Sequence, residues 1–382
     1  MKMETSCKNI FITGGHYTPA KAVIDRLLNN GWQVFYIGLK HSFEGDRGMS
    51  YEYLELQKVP RVTFLQITTG RIQRKLTRYT IPSIFKIPIG FVLSLFWLTR
   101  YQPDVVLSFG GFVAIPVVMA AWLLDIPIVT HEQTTAFGLA NRVIQLFANK
   151  VLVSFSSTLP KNTGGKWIYT GNPIREQTFM VKPDNDLSQL KRLKDKLKLP
   201  VVYITGGKHG SHVINKTVGE SLEVLLKSSI LIVQTGDNQE FKDFGWLTAK
   251  ISNLAPEMKK RLFIYKFISG ELIGAVYNLA DLVVGRAGAN TVFDLAALGK
   301  PAILIPIPWS SGDEQRKNAA ELANVGGVVV LSQDNIKNLP RTITGVLAKI
   351  EVYRQRALGA KSLVNLDSAQ KIFQVVQSQL HD

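Results

Sequence analysis

Short apolar segments alternate with longer amphipathic ones along most of the chain. In the first cycle, an apolar strand over residues 9–13 is followed by Gly14 and Gly15 and then by a helix over residues 19–29. Similar strand-like segments, each followed by a loop or a helix, recur to about residue 154 and start again at residue 201. This alternation predicts parallel sheets covered by helices on both faces. We therefore expect an α/β fold with two doubly wound, Rossmann-like domains.

The predicted strands fall into two sets, separated by a polar and highly charged stretch over residues 181–198. The first set is 9–13, 32–37, 62–65, 105–109, 126–130 and 151–154, and the second is 201–205, 230–234, 262–266, 282–284, 302–305 and 327–331. Two domains also suit a chain of 382 residues. The predicted boundaries are a first domain over 1–178, a linker over 179–195 and a second domain over 196–364.

Positive charge is concentrated in one window of the first domain. The chain has 45 Lys and Arg against 29 Asp and Glu, and residues 56–103 include no acidic residue. The basic residues of this window are Lys58, Arg61, Arg71, Arg74, Lys75, Arg78, Lys86 and Arg100. Bulky apolar residues over 79–98 accompany them, which is typical of an element at a membrane surface rather than of a nucleic-acid site. The alternative is that residues 87–98 form a core helix.

The sequence predicts neither a membrane span nor a disulfide. The uncharged stretch over 87–99 is shorter than the roughly 18 residues that a span needs, and the one over 105–124 is interrupted by Gly110, Gly111 and Pro116. Cys7 is the only cysteine, so it has no internal partner. Residues 1–9 lack the apolar run of a signal peptide. We expect a cytoplasmic protein.

Candidate chemistry lies in glycine-rich segments that follow predicted strands, where open α/β sheets bind ligands. Segments 13–16, 110–111 and 206–210 match neither an ATP-binding P-loop nor a dinucleotide fingerprint, which disfavours an ATPase and a dehydrogenase. The strongest signal is segment 285–294, where a small-residue turn opens a helix whose free N–H groups suit a diphosphate. Asp294 fits a ribose contact or, alternatively, only favours the helix dipole. Segment 313–318 offers polar groups to a hydroxyl-rich ligand.

Taken together, these segments resemble the MurG family of glycosyltransferase family 28. The resemblance rests on Thr-Gly-Gly-His at 13–16, His-Glu-Gln at 131–133, Gly-Asn-Pro-Ile-Arg at 171–175, Gly-Gly at 206–207, Gln-Thr-Gly at 234–236 and Arg-Ala-Gly-Ala at 286–289, followed by Gln315 and Asn318. It covers nearly the whole chain. The family transfers GlcNAc from UDP-GlcNAc to the 4-hydroxyl of MurNAc on undecaprenyl-linked lipid I, which gives lipid II for peptidoglycan.

The resemblance implies a GT-B fold, in which two Rossmann-like domains enclose a cleft. It also implies that a C-terminal helix within about 365–382 packs back on the first domain. The expected partners are UDP-GlcNAc, lipid I and an anionic membrane surface, with no nucleic acid. The expected location is the cytoplasmic face of the membrane, as a peripheral protein.

The resemblance, together with the chemistry of the side chains and the composition of residues 71–98, gives roles to individual residues. His16 is the expected base, with a phosphate contact or a helix cap as its alternatives, and Glu132 is a second candidate base whose simpler role is structural. The expected donor contacts are Thr13, Gly14, Gly15, Thr134, Arg175, Gly207, Lys208, Ile268, Ala287, Gly288, Ala289, Asn290, Thr291, Asp294 and Gln315. The expected acceptor or membrane contacts are Arg71, Arg74, Lys75, Arg78, Phe85, Trp97, Gly110, Gly111 and Asn141.

The implied reaction inverts the anomeric carbon, because the donor is α-linked and the product is β-1,4-linked. A single in-line displacement without a covalent enzyme intermediate is therefore expected. Backbone N–H groups at 287–291 and the guanidinium of Arg175 would stabilise the departing UDP. We expect no cofactor and no metal.

The chain departs from the family pattern at three places. The first loop lacks the leading glycines of the family's Gly-Gly-Thr-Gly-Gly-His, Thr134 replaces an Asn, and Lys208 and His209 replace Ser and Gln. Three alternative functions stay open: a transferase with another lipid acceptor such as diacylglycerol, a UDP-GlcNAc 2-epimerase, and a non-catalytic nucleotide-sugar-binding protein. The membrane-type segment argues against the epimerase.

Overall fold

The computed structural model describes residues 8–41, 49–70 and 80–380, and the chain divides into two units. Unit 1 ends at Arg175 and also includes the chain from Asn365 onward, whereas unit 2 is Glu176–Val364. Each unit is built on one parallel sheet with helices packed against it. The predicted fold class, α/β with two Rossmann-like units, is confirmed.

Unit 1 contains a seven-stranded sheet in the order β3-β2-β1-β4-β5-β6-β7. Its elements are β1 (Asn9–Thr13), α1 (Tyr17–Asn29), β2 (Gln33–Gly38), α2 (Tyr51–Leu56), β3 (Val62–Gln66), α3 (Thr80–Tyr101), β4 (Val105–Ser108), α4 (Ala114–Leu123), β5 (Ile128–Glu132), α5 (Leu139–Phe147), β6 (Lys150–Val153) and β7 (Trp167–Tyr169). Adjacent side chains of β1 enter different cores, because Ile10 and Ile12 pack in one cluster and Phe11 packs in another. The sheet is therefore covered on both faces.

The last helix of the chain belongs to unit 1. The ring of Phe373 lies edge-on to the ring of Trp32, with 6.3 Å between their centroids. Ile372 and Val376 are buried in the same core cluster as the residues of α1. The chain thus returns to its first domain at its C-terminal end.

Unit 2 contains a six-stranded sheet in the order β10-β9-β8-β11-β12-β13. Its elements, followed by the last helix of unit 1, are α6 (Asn185–Leu197), β8 (Val201–Thr205), α7 (His212–Glu220), α8 (Leu222–Ser228), β9 (Ile230–Gln234), α9 (Asp243–Lys250), α10 (Pro256–Lys259), β10 (Leu262–Tyr265), α11 (Ile273–Leu279), β11 (Leu282–Gly285), α12 (Ala289–Leu298), β12 (Ala302–Leu304), α13 (Glu314–Asn324), β13 (Val328–Val330), α14 (Leu339–Leu347), α15 (Ile350–Ala357) and α16 (Ser368–Gln377).

The predicted linker over 179–195 lies entirely within unit 2. Helix α6 begins at Asn185, and Leu187 and Leu190 are buried. The side chain of Lys194 donates to the carbonyl oxygen of Leu279 at 2.9 Å. The charged residues of this segment lie on the outer face of an amphipathic helix. Because charged residues outnumber apolar ones, the sequence pattern suggested a linker.

Two element boundaries also differ from the prediction. The expected single helix over 215–227 is interrupted at Ser221 and forms α7 and α8. The expected strand over 126–130 lies two residues later, as β5. The shift places His131 and Glu132 at the carboxyl end of β5.

Candidate active site

In unit 1, the loops that follow β1 and β4 contact each other through their backbones. The N–H of Gly15 donates to the carbonyl oxygen of Gly110 at 3.0 Å. A Cβ on Gly14 would lie 2.8 Å from the carbonyl carbon of Phe109, and a Cβ on Gly111 would lie 3.2 Å from the nitrogen of Gly15. Gly14 and Gly111 also have positive φ angles of 140° and 83°. Only glycine fits this close approach.

The loop after β1 keeps the glycine turn at Gly14 and Gly15, although the two glycines that precede the threonine in the family pattern are absent. Phe11 and Ile12 occupy those two positions, and both are fully buried strand residues. The hydroxyl of Tyr36 donates to the carbonyl oxygen of Gly14 at 2.9 Å and holds the loop from β2. The departure from the family pattern therefore lies within the strand.

His16 follows this loop directly and precedes the first turn of α1. Its side chain makes no capping hydrogen bond to the helix, which excludes the predicted alternative of a helix cap. The residue is exposed at the carboxyl edge of the sheet. Desolvation by the surrounding protein lowers the pKa of His16, and the carboxylates of Glu132 and Glu52 oppose this shift. The lowered pKa favours the neutral imidazole, which is the form that accepts a proton.

The buried carboxylate of Glu132 organises the loop after β5. Its Oε1 accepts hydrogen bonds from the backbone N–H of Thr134 at 3.0 Å and from the Thr134 hydroxyl at 2.9 Å. Its Oε2 accepts from the N–H of Gly138 at 3.2 Å and from Nδ2 of Asn141 at 2.8 Å. Both oxygens are engaged, which supports the structural role for Glu132. The Thr134 hydroxyl also lies 2.6 Å from the carbonyl oxygen of Ala136, so it serves this loop.

Several buried polar atoms of the same region have no hydrogen-bond partner among the residues that the structure describes. They are Oγ1 of Thr13, Nδ1 of His131, Oε1 of Gln133 and Oδ1 of Asn141. Nε2 of His131 lies 3.0 Å from the carbonyl oxygen of Gly171, and burial lowers the pKa of His131 to about 4. The ring is therefore neutral, with Nε2–H as the donor and Nδ1 as an acceptor. Unsatisfied buried groups of this kind mark a site for a polar ligand or ordered water.

Unit 2 repeats the backbone approach in the loops that follow β8 and β9. A Cβ on Gly210 would lie 1.8 Å from the carbonyl oxygen of Thr235, and a Cβ on Gly236 would lie 2.3 Å from the nitrogen of Gly210. Both glycines have positive φ angles, of 73° and 75°. Gly207 also has a positive φ of 80°, but no atom lies within 4 Å of its potential Cβ. Gly207 therefore faces open space at this edge.

The amide of Gln234 connects this glycine loop to the segment after β10. Its Nε2 donates to the carbonyl oxygen of Gly207 at 3.1 Å, and its Oε1 accepts from the N–H of Ile268 at 3.2 Å. The side chain of Ile268 is buried. Gln234 thus links Gly207 to Ile268. The sequence analysis assigned Gly207 and Ile268 to the donor but gave Gln234 no role.

Arg286 is a buried cation at the carboxyl end of β11. Its Nη2 donates to Oγ of Ser211 at 2.8 Å and to Oε1 of Gln333 at 2.7 Å, and its Nη1 donates to the carbonyl oxygen of Ile305 at 3.0 Å. Burial lowers the pKa of Arg286 to about 10, so it stays charged at pH 7. No carboxylate of the described residues forms an ion pair with it. This uncompensated charge favours an anion at the adjoining loop.

Helix α12 begins next to Arg286 and carries the assigned segment 287–291. Gly288 is its N-cap residue, and Nδ2 of Asn318 donates to the carbonyl oxygen of Ala287 at 3.3 Å. Asp294 lies beyond the first turn and is buried, and the Thr178 hydroxyl donates to its Oδ1 at 3.1 Å. A carboxylate beyond the first turn gains little from the helix dipole. The dipole alternative for Asp294 is therefore weakened.

Gln315 holds the loop between β12 and α13. Its Oε1 accepts from the N–H of Ile307 at 3.1 Å, and its own N–H donates to Oγ of Ser310 at 3.3 Å. The residue is half-buried, and it sits at the start of the helix that also carries Asn318. Amide groups at this position suit the hydroxyls of a sugar.

The predicted site residues thus lie in two groups, one in each unit. Thr13 to His16, Gly110, Gly111, Thr134 and Asn141 lie together at the carboxyl edge of the sheet in unit 1. Gly207, Lys208, Ile268, Ala287 to Thr291 and Gln315 lie at the carboxyl edge of the sheet in unit 2, with Asp294 set back in α12. Arg175 is half-buried and is the last residue of unit 1. Within the described ranges, no group of three or more His, Cys, Asp or Glu is arranged to hold a metal ion.

The membrane residues of the prediction have different positions. Phe85 on α3 is 73% exposed. The indole N–H of Trp97 instead donates to the carbonyl oxygen of Gln66 at 3.3 Å, and its ring stacks on Tyr101, so Trp97 belongs to the packed face of α3. Arg71, Arg74, Lys75 and Arg78 lie outside the described residues.

Comparisons with known proteins agree over most of the chain. Residues 13–153 match the glycosyltransferase family 28 N-terminal domain, and residues 201–374 match the glycosyltransferase family 28 C-terminal domain. A relative from Treponema denticola is 35% identical over 85% of this chain and 83% of its own length. It is called UDP-N-acetylglucosamine–N-acetylmuramyl-(pentapeptide) pyrophosphoryl-undecaprenol N-acetylglucosamine transferase.

Two solved structures share the fold. MurG of Acinetobacter baumannii superimposes with a TM-score of 0.68 at 23% identity, over 97% of this chain and 99% of that one. A UDP-GlcNAc 2-epimerase from Neisseria meningitidis superimposes with a TM-score of 0.62 at 14% identity, over 97% of this chain and 100% of that one. These likenesses establish the architecture that transferases and epimerases have in common.

The backbone approach in unit 2 predicts the effect of adding one methyl group. Gly210→Ala should destabilise the protein by about 3 kcal/mol or more, because its Cβ would collide with the Thr235 carbonyl and its φ is unfavourable. Gly245→Ala in α9 is the matched control, since its Cβ would meet no atom within 4 Å. That variant should be neutral or stabilised by up to about 1 kcal/mol. The measurement is the denaturant midpoint of each variant, and an unchanged midpoint for Gly210→Ala would contradict the packing described.

Proposed function

The chain belongs to the MurG family of glycosyltransferase family 28, and from this premise we propose how its residues transfer GlcNAc from UDP-GlcNAc to lipid I, giving lipid II. The main support is a relative that carries the name of this transferase and is 35% identical over 85% of the chain. The chain is thus an N-acetylglucosaminyltransferase of peptidoglycan synthesis. The donor diphosphate is assigned to unit 2 and the acceptor hydroxyl to unit 1.

Unit 2 suits the leaving group of the reaction. The buried guanidinium of Arg286 has no carboxylate partner among the described residues, and helix α12 directs its first N–H groups to the same loop. Fixed dipoles and charge stabilise the negative charge that develops on UDP as the glycosidic bond breaks. The exposed Lys208 would add a second cation in the glycine loop. Gln315 and Asn290 would contact the sugar.

Unit 1 suits the acceptor hydroxyl. Neutral His16 takes the hydroxyl proton, the freed oxygen attacks the anomeric carbon, and the bond to the UDP oxygen breaks so that UDP leaves with the electron pair. Glu132 lies close enough to raise the proton affinity of His16, against the desolvation that lowers it. The unsatisfied Oδ1 of Asn141 would accept a hydrogen bond from the acceptor. Thr13, which the sequence assigned to the donor, lies in the same unit, and we assign its unsatisfied Oγ1 to the acceptor instead.

A three-helix apolar surface of unit 1 suits contact with the lipid carrier and its membrane. Helices α3, α4 and α5 are neighbours that pack against one another. Their exposed apolar residues are Phe85, Ile89, Val92 and Phe96 on α3, Met119, Trp122 and Leu123 on α4, and Leu139, Val143 and Leu146 on α5. The residues on α3 repeat at the spacing of a single helix face. No helix within the described parts of the chain is long and apolar enough to cross a membrane.

We therefore assign the three-helix surface to peripheral binding at an anionic membrane, beside the lipid-linked acceptor. Apolar side chains at this density are unusual on a surface that faces only water. Lys86, Arg100 and Arg142 lie on the same helices and would attract anionic headgroups. The epimerase alternative has no use for such a surface, and its likeness to this chain is one of fold.

Transfer of GlcNAc to a lipid I analogue in detergent tests the proposed function directly. The wild-type chain should form product from UDP-GlcNAc at the same rate with and without EDTA, because protein groups alone are assigned to the leaving group. Diacylglycerol serves as the control acceptor and should give no product. Product on diacylglycerol alone would indicate a different lipid acceptor, whereas UDP-GlcNAc binding without any product would indicate a binding protein.

Substitution of His16 tests the assignment of the base. His16→Ala should lower kcat by about 10²- to 10⁴-fold and leave the affinity for UDP-GlcNAc within about twofold, because a base acts on the acceptor. In the wild type, kcat should be lost as pH falls through the lowered pKa of His16, so the acid limb should lie below the ordinary histidine value of 6.5. His41→Ala, an exposed histidine of the same unit, is the control. Loss of donor affinity with normal turnover would contradict the assignment.

Binding to vesicles tests the membrane surface. The double variant Phe85→Ser and Phe96→Ser should bind anionic phospholipid vesicles on the order of tenfold more weakly, because two exposed aromatic rings leave the interface. Wild-type binding should also fall with salt, since cations contribute. The control is Val224→Ser with Val352→Ser, which changes exposed apolar residues of unit 2. Equal binding by both double variants, or binding insensitive to salt, would argue against this surface.

A further inference from the structure

Trp309 is an exposed tryptophan in the loop that connects β12 to α13. Its side chain is 70% exposed, more than any other large hydrophobic residue described in unit 2. Its indole makes no ring contact or hydrogen bond with the described residues. A tryptophan that stays in water loses the large favourable free energy of burying its apolar surface. Exposed tryptophans are therefore enriched at binding sites, where a partner buries them.

The backbone around Trp309 is fixed rather than loose. The N–H of Ser310 donates to the carbonyl oxygen of Ile307 at 3.2 Å, which closes a turn with Pro308 and Trp309 at its tip. Proline at the second position of a turn restricts the backbone before any ligand binds. The side chain of Gln315 holds the N–H of Ile307 at 3.1 Å. The indole is therefore presented by a preorganised loop, which reduces the entropy that binding would cost.

The same loop is anchored to the segment assigned to the donor phosphates. Arg286, which precedes that segment, donates to the carbonyl oxygens of Ile305 at 3.0 Å and Pro306 at 3.5 Å. Asn318 of the following helix donates to the carbonyl oxygen of Ala287 at 3.3 Å. The loop that carries Trp309 is thus bonded to residue 286 at its beginning, and the helix that follows it is bonded to residue 287. A ligand held by its diphosphate at that segment carries its sugar next to the phosphates.

We propose that Trp309 packs against the pyranose ring of the donor sugar and supplies an apolar contact in UDP-GlcNAc binding. In α-linked GlcNAc the substituents at C2 to C5 are equatorial, so the ring face opposite the axial anomeric oxygen presents C–H groups that suit the flat face of an indole. The hydroxyls of the sugar suit the amides of Gln315 and Asn290. The contact involves the sugar and not the uridine or the diphosphate. This inference rests on the proposed function, because it takes UDP-GlcNAc as the ligand of unit 2.

Calorimetric titration with UDP-GlcNAc and with UDP separates the sugar contact from the nucleotide contacts. Trp309→Ala should bind UDP-GlcNAc about tenfold more weakly and bind UDP within about twofold of the wild type. Trp309→Phe keeps an aromatic face and should retain UDP-GlcNAc affinity within about threefold. Val224→Ala, an exposed apolar residue on α8, is the control and should bind both ligands as the wild type does.

Tryptophan fluorescence gives a second readout at saturating ligand. UDP-GlcNAc should change the wild-type emission, UDP should change it much less, and the difference should disappear in Trp309→Phe. Unchanged UDP-GlcNAc affinity in Trp309→Ala, or an equal loss of UDP affinity, would overturn the proposal while leaving the transferase function intact. A wild-type chain that bound no UDP-GlcNAc would instead overturn the proposed function together with this inference.

Discussion

The close approach of backbones between neighbouring strand-end loops is the constraint on which the strand edge of each unit depends. In unit 1 the glycines after β1 meet the Phe109–Gly111 backbone, and in unit 2 Gly210 meets Thr235 and Gly236. Parallel strands end at one edge, so their loops must share the same small space. Because Gly14, Gly210 and Gly236 have no Cβ, the loops can pack backbone against backbone at that edge. The glycines therefore set the distance between neighbouring loops as well as the turn within each loop.

Buried groups of opposite charge organise the two edges. Glu132 uses both oxygens to hold the loop after β5 and lies near His16, so unit 1 is biased towards accepting a proton. Arg286 uses its guanidinium to join three loops and lacks a carboxylate partner among the described residues, so unit 2 is biased towards an anion. An inverting transfer needs both, one where the acceptor loses its proton and one where UDP gains charge. In the proposed assignment, the same groups that stabilise the loops also set the electrostatic character of each edge.

Sequence patterning was sufficient for the fold class and for the strand-end loops, because parallel strands and glycine turns have strong local signatures. It failed where tertiary packing decides. The many charged residues of α6 suggested a linker, although Leu187 and Leu190 are buried. The composition of residues 79–98 suggested that Trp97 lies at a membrane surface, but its indole N–H donates to the carbonyl oxygen of Gln66. Gln234 and Arg286 were not assigned roles, because their importance lies in bonds to residues far along the chain. The available signals for Arg286 were its place at the end of an apolar strand and in the Arg-Ala-Gly-Ala motif, but neither indicated its bonds to Ser211 and Gln333.

Helix α3 shows why composition alone left two interpretations of residues 87–98 open. Ser94 and Leu98 are buried against the sheet, whereas Val92 and Phe96 are exposed on the opposite side. Gly90 allows the close packing, since a Cβ there would lie 2.8 Å from Oγ1 of Thr69. One face of α3 is therefore a core face, and the opposite face is the exposed apolar face that the proposed membrane contact uses. A helix that is apolar all round and has only one face packed must leave apolar surface exposed, and the neighbouring helices α4 and α5 also carry exposed apolar residues. Binding to lipid is the use of such a surface that accords with a lipid-linked acceptor.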